Sequence, residues 1–334
     1  MATTTHHSAP AFRRLGRTGP TVSSPGLGCM GLSGTYGPTD DDESVRVVHA
    51  YLDGGGTLLD TGDFYGVGHN EQLIGRALAG RDRDDAVLSV KFGARLDPGS
   101  PMPSGSDGRP AAVRTALTYS LRRLGTDHVD IYRLARLDPD VPIEETVGAM
   151  AELVEQGHIR HIGLSEVSAE TIRRAAAVAP ISDVQLEYSL LTRDIEREIL
   201  PTCRELGISV TAYGVLAKGL IGGTSDLGPR AIFPRLQGAN LEHNTALIEP
   251  LQEIAEAKGG TLAQLAIAWV AARGEDIVPV VGARRVPQVE SMLGSNALIL
   301  GADDLARIDE LVPAGAARGT RYPEFAMADL DSER

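Results

Sequence analysis

The chain reads as a single-domain α/β barrel, with parallel strands alternating with helices around one closed sheet. Three observations point there. Short runs rich in Val, Ile and Leu alternate with longer amphipathic stretches. The strand–helix unit recurs at roughly 25–30 residue intervals, an alternation that builds a parallel sheet. About eight such units fit the chain, which favours a (β/α)8 barrel of the TIM type over an open doubly wound sheet. No G-x-G-x-x-G opens a helix after the first strand, so the main reason to expect the open sheet is missing.

The first barrel strand is placed near Val22–Gly28, against the grain of Pro25 and its flanking glycines. The others are Gly56–Asp60, Ala86–Lys91, Val129–Leu134, Ile159–Leu164, Asp183–Leu186, Ile208–Ala212 and Ile277–Val280. Most are four to six residues long and rich in Val, Ile and Leu, as strands covered on both faces are. Helices are expected over Asp42–Asp53, Asn70–Ala79, Pro110–Leu124, Ile143–Gln156, Ser168–Val178, Asp194–Leu206 and Val286–Ser295. Pro110 and Pro142 suit helix starts, and Gly125, Gly157 and Gly207 suit helix ends. Two Gly- and Pro-rich stretches, Arg95–Arg109 and Gly214–Asn240, read as long loops. In a barrel both follow strand ends on the catalytic face, where long loops act as lids or binding loops. The domain is expected to run from 12 to 327, with a disordered tail at 1–11 and a C-terminal tail at 328–334.

Lys plus Arg number 32 against 45 Asp plus Glu, a net charge of −13. Such a surface repels phosphate backbones and anionic membranes, which argues against nucleic-acid or lipid partners. The two cysteines, Cys29 and Cys203, form neither a disulfide framework nor a metal-binding pattern. No leader-like apolar segment opens the chain and no long apolar run spans a membrane, so a cytoplasmic location is the expectation.

The chemistry concentrates at strand ends. Leu58-Leu59-Asp60 runs into Thr61-Gly62-Asp63-Phe64-Tyr65, and Lys91 closes the next strand. A buried lysine beside an aspartate stays charged, and its charge would lower the pKa of a neighbouring tyrosine. Such a tyrosine can protonate a carbonyl oxygen. The plainer alternative is a structural Asp60–Lys91 ion pair with Tyr65 as a packing residue.

Longer runs resemble the aldo-keto reductase superfamily, and within it a bacterial branch of pyridoxal-reductase-like members. They include Gly26-Leu27-Gly28-Cys29-Met30-Gly31, Asp60 to Gly66, Ile162-Gly163-Leu164-Ser165-Glu166, Gln185 to Leu190, Pro234 to Gly238 and Arg321-Tyr322-Pro323-Glu324. The resemblance implies reduction of a small-molecule aldehyde or ketone with NADPH. Tyr65 would be the proton donor, Lys91 would tune it, and Asp60 would hold Lys91. Ser165, Gln185 and Tyr213 would bind the nicotinamide, with Gly214, Leu216 and Lys218 near the pyrophosphate. Gly282, Arg284 and Gln288 would face the adenosine phosphate, Arg284 carrying the charge. No metal site is implied.

The chain also departs from that pattern. Ala135 stands where the family carries its catalytic histidine. His69, in the loop after Tyr65, is the one histidine placed near the pocket; His128 and His161 belong to the far face. Gly214-Val215 replaces Ser-Pro, Ala283 replaces a threonine, and Ser291-Met292 replaces a Glu-Asn pair that grips adenine. Together these losses imply weakened cofactor binding. A second reading follows: a non-redox biosynthetic enzyme using Tyr65 and Lys91 for dehydration, cyclisation or isomerisation. A cofactor-sensing subunit, as in potassium-channel β subunits, is a third. Substrate identity and oligomeric state stay open.

Overall fold

A computed structural model describes residues 10–99, 103–223 and 227–333. Eight parallel strands close into a barrel: β1 Gly26–Gly28, β2 Leu58–Gly62, β3 Val87–Phe92, β4 Val129–Leu134, β5 Ile159–Ser165, β6 Ile181–Glu187, β7 Ser209–Tyr213 and β8 Ile277–Gly282. Each pairs with its sequence neighbour, and β8 returns to β1 through Val280–Gly26, Val281–Leu27 and Gly282–Gly28. The expected single-domain (β/α)8 barrel is what forms.

Strand β4 matches the expected boundaries. The Val22–Gly28 stretch instead divides at Pro25. Thr21–Ser24 pairs antiparallel with Ala11–Arg14 as a hairpin, and only Gly26–Gly28 joins the barrel. Helix Pro110–Leu124 also matches, with Pro110 in its first turn and Gly125 ending it in the left-handed region at φ 68°. Asp194–Leu206 is broken: a short 3-10 turn precedes a helix over Ile199–Leu206.

The barrel interior is layered by the two-residue period of its strands. Leu58, Ile131, Val278 and Val280 make an apolar floor, closed by Leu15 and Val22 of the N-terminal hairpin region. Two residues on from Leu58 and Ile131 stand Asp60 and Arg133, which begin a charged layer. The opposite face of β4 packs outward: Tyr132 stacks on Phe92 at 4.1 Å and donates to the Val113 carbonyl.

The two expected loops carry structure. Ala94–Leu96 and Pro103–Ser106 form an antiparallel hairpin over β3 and β4. Beyond β7 come 3-10 turns and then helices Gly238–Ile248, Leu251–Ala257 and Leu262–Ala272, none of them anticipated. Most of the expected N-terminal tail lies outside the described residues. The expected C-terminal tail does not behave as one. Leu330 and Asp331 are buried, and Asp331 accepts from Ser168 N and Thr171 Oγ1 at the start of helix Ala169–Val178. Among the described residues, no helix is long and apolar enough to cross a membrane.

Candidate active site

Asp60, Lys91, Ser165, Gln185, Tyr213 and Gly282 all stand at or near C-terminal strand ends, so the barrel gathers them on one face. Tyr65 reaches the same face from the loop after β2. Ala135 follows β4, and its N–H donates to the Phe92 carbonyl at 2.9 Å.

Lys91 Nζ donates to Asp60 Oδ2 at 2.5 Å. Asp60 Oδ1 accepts from Arg133 at 2.9 Å, Gln185 Nε2 at 3.0 Å and Ser89 Oγ at 3.2 Å. Arg133 is fully buried and also pairs with Asp183, which takes a further hydrogen bond from Thr211 at 2.7 Å. Two cations and two carboxylates thus balance inside the barrel. Gly163 makes room for them: a Cβ there would lie 3.1 Å from Arg133 Nε and from Asp183 Oδ1. Burial alone would raise the pKa of Asp60, but Lys91 and Arg133 hold it below the usual carboxylate range. Burial lowers Lys91, against the pull of Asp60.

Lys91 Nζ lies 5.1 Å from the Tyr65 ring centroid. The phenol nevertheless titrates well above its ordinary value, through burial and the Asp60 carboxylate. Lys91 does not outweigh burial and Asp60 at this phenol. The ammonium is neutralised by Asp60, so its field at Tyr65 is largely cancelled. The cation that does pull Tyr65 down is Arg136. Tyr65 therefore holds its proton at neutral pH, which suits an acid.

A second charged cluster roofs the ends of β5 to β7. Glu166, at φ 53°, accepts from Arg321 at 2.8 and 3.1 Å, from Tyr213 OH at 2.8 Å and from Ser332 at 2.5 Å. Burial opposes ionisation of Glu166, yet Arg321 keeps it far below the ordinary range. Tyr213 also shares a 2.9 Å hydrogen bond with Tyr322. The expected pyrophosphate ligand Lys218 is engaged by Glu187. It also lies 4.5 Å from the Tyr322 ring centroid. Gly214 has φ 69°, and a Cβ there would approach Glu187 Cγ at 2.9 Å. Leu216 packs partly buried against the core.

At the adenosine end, Arg284 donates to the carbonyls of Tyr36, Gly37 and Pro38 at 3.0, 3.2 and 2.5 Å. Its guanidinium is thereby tied to a loop, while its buried Nε has no partner among the described residues. Gln288 Oε1 accepts from Arg284 N and Arg285 N and so closes the start of helix Val286–Gly294. Met292 is buried, so its side chain belongs to the core. His69 bonds Ser33 and Asp41 at the rim.

The Aldo/keto reductase family profile matches residues 26–313. The chain belongs to that family. It is 41% identical over 318 residues to a "Probable aldo-keto reductase 1" of Glycine max, covering 92% of this chain and 91% of that one. Among solved structures it resembles the glycerol dehydrogenase of Gluconobacter oxydans, with TM-score 0.82, 31% identity and 93% and 97% of the two chains covered. It also resembles an aldo-keto reductase of Klebsiella pneumoniae in complex with NADPH, with TM-score 0.73, 29% identity and 93% and 99% covered.

The donor set fits a nicotinamide dinucleotide phosphate. Ser165 and Gln185 can meet a carboxamide, and Tyr213 offers a partly exposed ring. The helix start after β8, with Arg284 and Arg285, suits a phosphate. Sequence reasoning missed Arg133, Asp183, Glu166, Glu187, Arg321 and Arg136 as site residues. For two of them the signal was local: Glu166 directly follows β5 and Glu187 ends β6.

Proposed function

We propose that this chain reduces an aldehyde or ketone with NADPH, using Tyr65 as the proton donor. The observation that carries this reading is a protonated, partly buried Tyr65 beside the Lys91–Asp60 pair, on the barrel face that also bears Ser165, Gln185 and Tyr213. When bound, the reduced nicotinamide supplies the hydride. Tyr65 donates its proton to the carbonyl oxygen and regains one from water. Lys91 and Asp60 hold the neighbouring strand ends in register with the phenol. Ser165, Gln185 and Tyr213 would hold the nicotinamide end, Ser165 and Gln185 through its carboxamide. Arg284, Arg285 and the helix start behind Gln288 hold the adenosine phosphate.

Ala135 makes this a specialised site within the pyridoxal-reductase-like branch, since an alanine cannot donate to the substrate. Cofactor binding is weakened where Glu187 competes for Lys218 and Gln288 fills the helix start. That same competition favours the second reading, acid–base chemistry without a cofactor. Titration with NADPH followed by fluorescence, then NADPH oxidation with a panel of carbonyls, separates them. Saturable binding with carbonyl-dependent oxidation supports the reductase. No binding at millimolar NADPH defeats it.

A further inference from the structure

Arg136 stands one residue beyond the position that lacks an imidazole. Its partly buried guanidinium folds back over the end of β4, where Nη1 donates to the Ala135 carbonyl at 2.6 Å and lies 3.5 Å from Ser165 Oγ. Nε and Nη2 make no hydrogen bond among the described residues, and no carboxylate there lies within ion-pair distance. Two neighbouring arginines of this face are held in buried ion pairs: Arg133 by Asp60 and Asp183, Arg321 by Glu166. The charge of Arg136 reaches Tyr213, Glu166, Tyr322 and Tyr65, and of these the Glu166 carboxylate is already ion-paired to Arg321.

A guanidinium kept partly from water without a counter-ion is costly, and an anionic ligand relieves that cost. Its planar fork presents parallel N–H groups spaced for two oxygens. We propose that Arg136 is a substrate-binding residue that takes over the task of the absent histidine. One N–H donates to the carbonyl oxygen beside Tyr65, and a second holds a carboxylate on the adjacent carbon. The substrate class is therefore 2-oxo acids.

This rests on the reductase reading. In the step, the carbonyl π bond breaks, the reduced nicotinamide is oxidised as its hydride forms the new C–H bond, and Tyr65 supplies the proton of the new O–H. Arg136 keeps its own protons and offsets the charge that grows on oxygen.

The test compares phenylglyoxylate with benzaldehyde, which lacks the carboxylate, in the wild type, Arg136→Met and Ala135→His/Arg136→Met. Oxalate binding by calorimetry gives a readout free of turnover. The wild type is expected to bind oxalate and to favour phenylglyoxylate. Arg136→Met is expected to lose oxalate binding and about 10³-fold or more in kcat/KM for phenylglyoxylate, against about 10- to 100-fold for benzaldehyde, which loses only the carbonyl contact. The double variant, which gains an imidazole through Ala135→His, should recover benzaldehyde reduction and leave phenylglyoxylate low. NADPH affinity should stay unchanged throughout. Unchanged oxalate binding and substrate preference in Arg136→Met overturn the inference while leaving the reductase reading intact. Oxalate binding lost in Arg136→Met, in a protein that neither binds NADPH nor turns over, keeps the anion site and defeats the reductase reading.

Discussion

Both carboxylate oxygens of Glu187 accept from the Lys218 ammonium, each at 3.0 Å. Lys218 reaches this pairing through a backbone in the left-handed region, at φ 56°. Such a conformation persists in a non-glycine residue only where its surroundings enforce it. On the proposed reading, a pyrophosphate reaching Lys218 would compete with a carboxylate already in place.

Glu187→Gln removes that competitor. NADPH affinity should rise about tenfold, equivalent to about 1.4 kcal/mol, by fluorescence titration. Lys218→Met should weaken it. No change in either variant would show that Lys218 does not meet the cofactor.

Tyr65→Phe deletes the donor hydroxyl and keeps the ring. Carbonyl reduction should fall by about 10²–10⁴ in kcat, while NADPH affinity is retained. A variant with near wild-type turnover would move the proton donor elsewhere.

Arg321→Met strands Glu166, which is fully buried. Loss of one partner from a buried pair costs about 3–5 kcal/mol, readable as a shift in urea denaturation. Because Arg321 depresses the folded-state pKa of Glu166, the contribution is complete above the ordinary glutamate value of 4.5. It is lost as pH falls through the lower folded-state value. The gap between wild type and variant should therefore narrow in acid.

Asp63 behaves in the opposite sense. Burial and the nearby Glu71 push its carboxyl up from 3.8 to about 7, and Oδ1 is buried with no hydrogen-bond partner among the described residues. The folded state holds this proton longer than the unfolded one, so stability from Asp63 is full below pH 3.8 and is lost as pH rises through about 7. Asp63→Asn should be close to wild type at pH 4 and more stable by roughly 2 kcal/mol at pH 8, measured by chemical denaturation across that range.

Much of this barrel was legible because its punctuation is local. Pro110 and Gly125 delimit one helix, and Val129–Leu134 is a strand by its Val, Ile, Tyr and Leu content and its place in the strand–helix alternation. Helix Leu262–Ala272 was not, because it is apolar nearly all round and so has no stripe to betray its period. In the site, the Asp60–Lys91 pair is announced by two strand ends. Arg133 is not, because its partners Asp60 and Asp183 are 73 and 50 residues away in sequence. The roof over Tyr213 was equally hidden: Arg321 lies 155 residues from Glu166.

Gly214 couples the backbone of this loop to the Lys218 pairing. A side chain there would need both a left-handed backbone and the space that Glu187 Cγ fills. Any larger residue at 214 would push the Glu187 side chain aside, and with it the carboxylate that holds Lys218.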